Sequence, residues 1–224
     1  MALWASIGNS LNGVFWTLYH ILADSNGAYE SIQREIDRVH PKHDSCLTWE
    51  QLDALVETRS AFKEACRMQS GSFHVRDLDQ DFILEPKTSQ KLKSQPPKFF
   101  LKKGTRIMGY GGVQHFDEAI FEKPFEFQWN RFAPLENGSM PEFKDRNGKT
   151  LSNPSLAFGG GSHACPGRRF IDYESTAYIA MLLARFDLRL VSNDYPGVAK
   201  ESTGVGIFDP EIDVQIEIRQ RVRG

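Results

Sequence analysis

Paired cysteines are missing from this chain: its 224 residues hold three, Cys46, Cys66 and Cys165, with no Cys-x-x-Cys spacing. That usage argues against a disulfide framework and a zinc knuckle, and it fits a reducing compartment. Long apolar runs are missing too. Nothing approaches the roughly 20 residues of a membrane span, and the start lacks the basic-then-apolar plan of a signal peptide, so no anchor is expected within the chain. Neither sign of charge is in excess. With 27 Lys and Arg against 29 Asp and Glu, the composition gives no reason to expect nucleic acid or another polyanion as partner. The length allows one large domain or two small ones, and a 40% hydrophobic share is ordinary for a globular core.

What is present concentrates in one stretch, Leu156 to Phe170, read LAFGGGSHACPGRRF. Three successive glycines do not suit a helix or strand interior, because glycine loses the most backbone entropy there and serves instead where unusual dihedrals are needed. The stretch therefore reads as a loop. Cys165, Pro166 and Gly167 close it, and an apolar periodic segment from Phe170 through Leu183 reads as a long helix. The thiol then lies at or just before a helix N-terminus, where unpaired amides and the positive end of the macrodipole favour a thiolate. A lone thiolate suits covalent nucleophilic chemistry or axial ligation of an iron.

Upstream, Met1 to Leu22 is apolar on more than one face, as a helix inside a large protein would be. Gly8, Asn9, Ser10, Asn12 and Gly13 interrupt it with poor helix formers that predict a kink and free carbonyls. Tyr29 to Val39 reads as an amphipathic helix with Ile32, Ile36 and Val39 inward, and its charged face, Glu35 included, is expected in solvent. Thr48 heads a capped start, and one helix is expected from about Glu50 to Met68. Glu64 and Arg67 share a face of it at a spacing of three, which alone usually marks a surface pair.

Short alternating runs at 72–76, 81–84 and 99–110 predict strands, with a turn at Gly104, and Lys87 to Lys98 predicts an exposed loop. His115 reads as a hydrogen-bonded structural histidine. Residues 130–154 have little periodicity and read as a meander. Phe186 to Leu190 and Asp213 to Ile218 alternate as strands, with a glycine-containing loop, 202–208, between them.

Phe158, Gly161, His163, Cys165 and Gly167 spell Phe-x-x-Gly-x-His-x-Cys-x-Gly, which resembles the haem-thiolate loop of the cytochrome P450 family. Glu64-x-x-Arg67, followed by Arg131-Phe132, resembles the family's buried Glu-Arg-Arg network. The resemblance covers nearly the whole chain but only the C-terminal half of the family's fold, mainly α with small β-sheets, so residues 1–224 are expected to be a partial haem domain beginning in the long central helix. It implies a haem b cofactor with Cys165 as thiolate ligand to the iron, Phe158, Gly161 and Gly167 around the sulfur, and His163 and Arg76 toward the propionates. Asn9 falls where the family's distal helix usually carries a threonine, with no acid before it. Together with Trp4, Phe15 and Trp16, that departure resembles the branch containing prostacyclin synthase and the sterol 7-alpha- and 12-alpha-hydroxylases.

The function implied is monooxygenation of a small lipophilic, sterol-like substrate with electrons from NADPH through a reductase. The alternatives are a haem-thiolate isomerase acting on a lipid peroxide and a non-catalytic fragment. The resemblance also implies the cytosolic face of the endoplasmic reticulum membrane, with anchoring through an N-terminal part that this chain does not carry.

Overall fold

The computed structural model describes residues 2–40, 46–85, 97–199, 201 and 206–221, and side chains from Gly8 onward. Among these residues, six helices carry the core: α1 (Ala2–Ala23), α2 (Ala28–Val39), α3 (Trp49–Ala54), α4 (Val56–Gln69), the single turn α5 (Gly112–His115) and α6 (Arg168–Arg185). Three antiparallel ribbons flank them. β1 (Phe73–Asp77) pairs with β4 (Arg106–Tyr110), β2 (Phe82–Leu84) with β3 (Phe99–Leu101), and β5 (Phe186–Leu190) with β6 (Ile216–Gln220). Mainly α with small β-sheets is the architecture observed. Residues 87–96 of the expected exposed loop and 202–205 of the loop at 202–208 lie outside the described residues.

Helix α1 runs unbroken through its glycines, so these residues do not end it. Its poor helix formers have packing and bonding roles instead: a Cβ at Gly13 would stand 3.0 Å from the Phe62 ring, and the Gly13 carbonyl accepts the Thr17 hydroxyl at 2.6 Å. Glycine thus lets α4 approach α1 closely. Apolar side chains of α1, α2, α4 and α6, with Ile21, Ile32, Ile36, Leu55, Ile179 and Leu183 fully buried, form the main cluster. Trp16, Tyr19, Phe62, Cys66 and Ile207 form a second one, which reaches Phe158 of the glycine loop.

The helix expected from about Glu50 to Met68 is two helices. Thr48 and Gln51 form the reciprocal capping box that starts α3, and Leu55, at φ −81° and ψ 63°, ends α3 and precedes α4. The break is stabilised from outside the segment. Glu35 of α2 accepts the amides of Glu57 and Thr58 at 2.7 and 2.9 Å, together with the Thr58 hydroxyl at 2.7 Å. A carboxylate at a helix N-terminus supplies partners for donors that the helix itself cannot satisfy. Glu35 is therefore buried, 2% exposed, and the expectation of a solvated acid is corrected: the charged face of α2 includes one residue that turns into the protein.

The last strand is also displaced, to Ile216–Gln220 from the expected 213–218. Its span follows its partner: β5 pairs from Phe186↔Gln220 to Leu190↔Ile216, with cross-strand ion pairs Asp187–Arg219 and Arg189–Glu217. The ladder continues by one bond at each end, from the Val191 amide to the Gln215 carbonyl at 3.0 Å and from the Arg221 amide to the Arg185 carbonyl at 2.8 Å.

Candidate haem-thiolate site

The glycine loop ends as the spacing predicts. Gly167 precedes the first turn of α6, and Cys165 lies two residues before it with an exposed thiol. Gly161 to His163 make one 3-10 turn, and the Cys165 amide bonds the Phe158 carbonyl at 2.8 Å, so the loop closes on itself. Gly159 and Gly161 take φ of +73° and +62°, the left-handed region that side chains avoid. A Cβ at Gly167 would sit 3.8 Å from the Cys165 sulfur.

Phe158 is half-buried and faces Phe62 of α4, ring centroids 6.5 Å apart. His163 is exposed, with its Nδ1 3.0 Å from the Ser162 hydroxyl. Arg76 is exposed on β1 and donates to the Val75 carbonyl at 2.7 Å. An accessible thiol at a helix N-terminus, a glycine cradle around it and two basic side chains at the protein surface fit a haem held by thiolate ligation, with its propionates facing cations.

Asn9 is drawn to a different partner. Its side-chain oxygen accepts the Ile207 amide at 3.0 Å, and a Cβ on Gly206 would fall 1.6 Å from that oxygen. Asn12 and Trp16, on the same helix, reach the Ile207 and Phe208 carbonyls at 3.4 and 2.7 Å. The segment 206–208 is thus laid along α1. Sequence pattern carries no sign of this contact, because the partners are nearly 200 residues apart.

The Glu64, Arg67 and Arg131 side chains meet in the interior. Arg67 forks onto Glu64 through Nε and Nη2, both at 2.8 Å, and Arg131 adds its Nε at 2.8 Å. Glu64 and Arg67 are fully buried and Arg131 is 9% exposed. Further guanidinium hydrogens go to carbonyls between residues 115 and 126: Pro124 and His115 for Arg67, and Glu122, Lys123 and Glu126 for Arg131. Phe121 lies under both cations, 4.9 Å from Arg67 and 5.8 Å from Arg131. One carboxylate with two planar forks is geometrically specific. The arrangement joins α4 to the chain that leads into the glycine loop.

Two histidines near this network are held neutral. Burial and the Arg67 charge lower the pKa of His20 and of His115 to about 4. His115 is fully buried, as a structural histidine should be. Burial likewise raises the Cys66 thiol pKa, leaving that cysteine an apolar core group.

Comparison with known proteins agrees with this geometry. The sequence profile of the family described as Cytochrome P450 matches residues 2–216. The chain is 30% identical to "Cytochrome P450 7B1" of Mus musculus over 98% of this chain and 43% of that protein. It is 29% identical to the "25-hydroxycholesterol 7-alpha-hydroxylase" of Rattus norvegicus over 98% of this chain and 52% of that protein. It is 27% identical to "Prostacyclin synthase" of the same species over 99% of this chain and 44% of that protein. The chain spans about half the length of these curated relatives. With the profile matching almost end to end and the thiol, glycine loop and buried Glu-Arg-Arg network in their places, the chain belongs to the cytochrome P450 family.

Proposed function

We propose that the chain is the part of a haem-thiolate monooxygenase running from the central helix to the C-terminal ribbon, acting on a lipophilic, sterol-like substrate at the cytosolic face of the endoplasmic reticulum membrane. The observation that carries this reading is the exposed Cys165 thiol on its glycine cradle at the start of α6. Haem, when bound, supplies the iron at which dioxygen is reduced and one oxygen atom is inserted into a substrate C–H bond, with electrons drawn from NADPH through a reductase. Cys165 contributes the sulfur ligand from its place just before α6. His163 and Arg76 contribute charge to the propionates. Phe158 closes the loop beneath the cysteine, its carbonyl accepting the Cys165 amide at 2.8 Å. Asn9 offers the amide hydrogens of its carboxamide on the distal helix, while its oxygen is taken by Ile207.

A second reading is supported by the similarity to prostacyclin synthase. An isomerase rearranges a peroxide that already carries its oxygens and needs no external electrons, and Asn9 is compatible with either chemistry. The deciding experiment incubates the complete protein with sterols and with a lipid endoperoxide, each with and without NADPH and reductase. Sterol hydroxylation that depends on NADPH supports the monooxygenase. Peroxide turnover without any electron donor overturns it. Cys165→Ala separately tests the ligand, since the ferrous carbon monoxide complex of the complete protein should lose its thiolate spectrum.

A further inference from the structure

His115 occupies the junction between the buried ion network and the cysteine loop. Its carbonyl accepts Arg67 Nη1 at 2.5 Å, and its ring Nε2 accepts the Leu156 amide at 2.7 Å. From Leu156 two backbone bonds lead to the thiol: the Gly159 amide to the Leu156 carbonyl at 2.9 Å, and the Cys165 amide to the Phe158 carbonyl at 2.8 Å. The neighbouring Gln114 adds its side-chain amide to the Asn153 and Pro154 carbonyls at 3.2 and 2.6 Å. The single turn of α5 therefore grips residues 153–156 from one side.

We propose that His115 is a positioning residue for the thiolate loop, transmitting the fixed geometry of Glu64, Arg67 and Arg131 on and near α4 to Leu156 and through it to Cys165. The inference rests on the reading of Cys165 as the iron ligand. A core filler of the same volume would occupy the space equally well, but it could not accept the Leu156 amide, and a buried amide without a partner is costly. Because Nε2 accepts, the neutral ring carries its proton on Nδ1, which has no partner among the described residues. Burial and the Arg67 guanidinium, with a smaller contribution from His74, keep the ring neutral, so the acceptor persists at ordinary pH. The contact is also tight. A Cβ on Gly111, the residue before α5, would stand 3.3 Å from the Leu156 Cβ and 3.2 Å from His74 Nε2, which leaves the α5 turn little freedom to move away from the loop.

The test is amide hydrogen exchange on the 224-residue chain, comparing wild type, His115→Leu and His115→Gln, the glutamine oxygen standing near the place of Nε2. Loss of one net hydrogen bond predicts exchange about tenfold faster across 156–165 in His115→Leu, with α4 and α6 unchanged. His115→Gln should return most of that protection. In the wild type alone, nitrogen NMR should show an Nδ1-protonated ring coupled through the hydrogen bond to the Leu156 amide. Equal exchange in all three chains, or a ring protonated on Nε2, overturns the proposal. A uniform rise across the whole chain in His115→Leu with no rescue by His115→Gln also overturns it, since that marks a core residue with no special hold on the loop. Cys165→Ala in parallel separates the two readings: a thiolate spectrum that survives in the Cys165→Ala complete protein counts against the haem assignment, while a loop whose protection still depends on His115 leaves the positioning role standing.

Discussion

Glu35 accepts both the backbone amide and the hydroxyl of Thr58, at 2.9 and 2.7 Å, across 23 residues of sequence. One carboxylate on α2 thereby caps α4, the helix that carries Glu64 and Arg67. Burial raises the Glu35 pKa, while the three donors pull the other way, so the ionised form is held by hydrogen bonds and not by solvent.

Replacing Glu35 by alanine should therefore be expensive for a residue on an outwardly polar helix face. Leaving the first amides of α4 and a buried hydroxyl without partners is expected to cost about 2 to 3 kcal/mol. Glu35→Gln, which keeps an acceptor oxygen, should cost less. Chemical denaturation of the two variants checks the order. A loss in Glu35→Ala no larger than that of an exposed acid would show that water replaces the cap.

The Glu64 carboxylate gives a larger expected effect. Glu64→Gln leaves two buried guanidinium groups sharing a neutral partner, and an uncompensated buried charge costs on the order of 3 to 5 kcal/mol. That is a large part of a domain's stability. Glu136, exposed in the meander, is the proper control, and Glu136→Gln should shift stability by less than about 0.5 kcal/mol. In the complete protein, haem per folded chain should fall with Glu64→Gln and hold with Glu136→Gln. Equal melting temperatures for the two variants would sink the buried network.

The contrast between Glu35 and Glu64 shows what the sequence made legible. Phe158 to Gly167 could be read directly, because the turn glycines, the cysteine and the helix start are near neighbours whose chemistry is local. Glu64 and Arg67 could be paired from helical spacing, though their burial came only with the resemblance. Glu35 could not be recognised, since its periodicity places it among charged residues and its partners belong to another helix. The break at Leu55 was hidden for the same reason: the residues on either side keep helical periodicity, and what stabilises the break is a carboxylate from α2. The shift of β6 reflects pairing with β5, which alternation along one strand does not encode. The bond from His115 to Leu156 depends on a tertiary approach that no local pattern records.

Stability should fall as pH drops below neutrality, through His20 and His115. Each has a folded pKa of about 4, below the ordinary 6.5, so between those values the unfolded chain binds more protons and stability rises with pH. Their contribution is complete above about pH 6.5 and is lost as pH falls toward 4, on the order of 3 kcal/mol for each ring. Glu35 and Asp172, whose pKa values burial raises, act in the opposite direction just above their unfolded values. The comparison that isolates a histidine is therefore the slope of unfolding free energy against pH in wild type and in His115→Gln. The variant should lose a substantial part of the slope between pH 6.5 and 4. Superimposable profiles would mean that His115 titrates normally in the folded chain.

The contact between Asn9 and Gly206 yields a prediction about coupling. Gly206 has φ of +75°, and a Cβ there would lie 1.6 Å from the Asn9 side-chain oxygen. Gly206→Ala therefore meets two penalties, a left-handed backbone that costs alanine roughly 1 to 2 kcal/mol and a steric conflict that must push the Asn9 carboxamide off the Ile207 amide. Asn9→Ala meets a different one, the loss of that 3.0 Å hydrogen bond, worth about 1 kcal/mol. In the double variant the conflict disappears and the bond is lost only once, so only the backbone strain is added to the cost of Asn9→Ala. The double variant should then be more stable than the sum of the two single losses predicts, by about 1 kcal/mol or more, as expected for side chains in contact. The measurement is a double-mutant cycle by chemical denaturation. Strict additivity would show that Asn9 and Gly206 do not touch, and Asn9 would then be free to act on the distal helix without tying down the segment at 206–208.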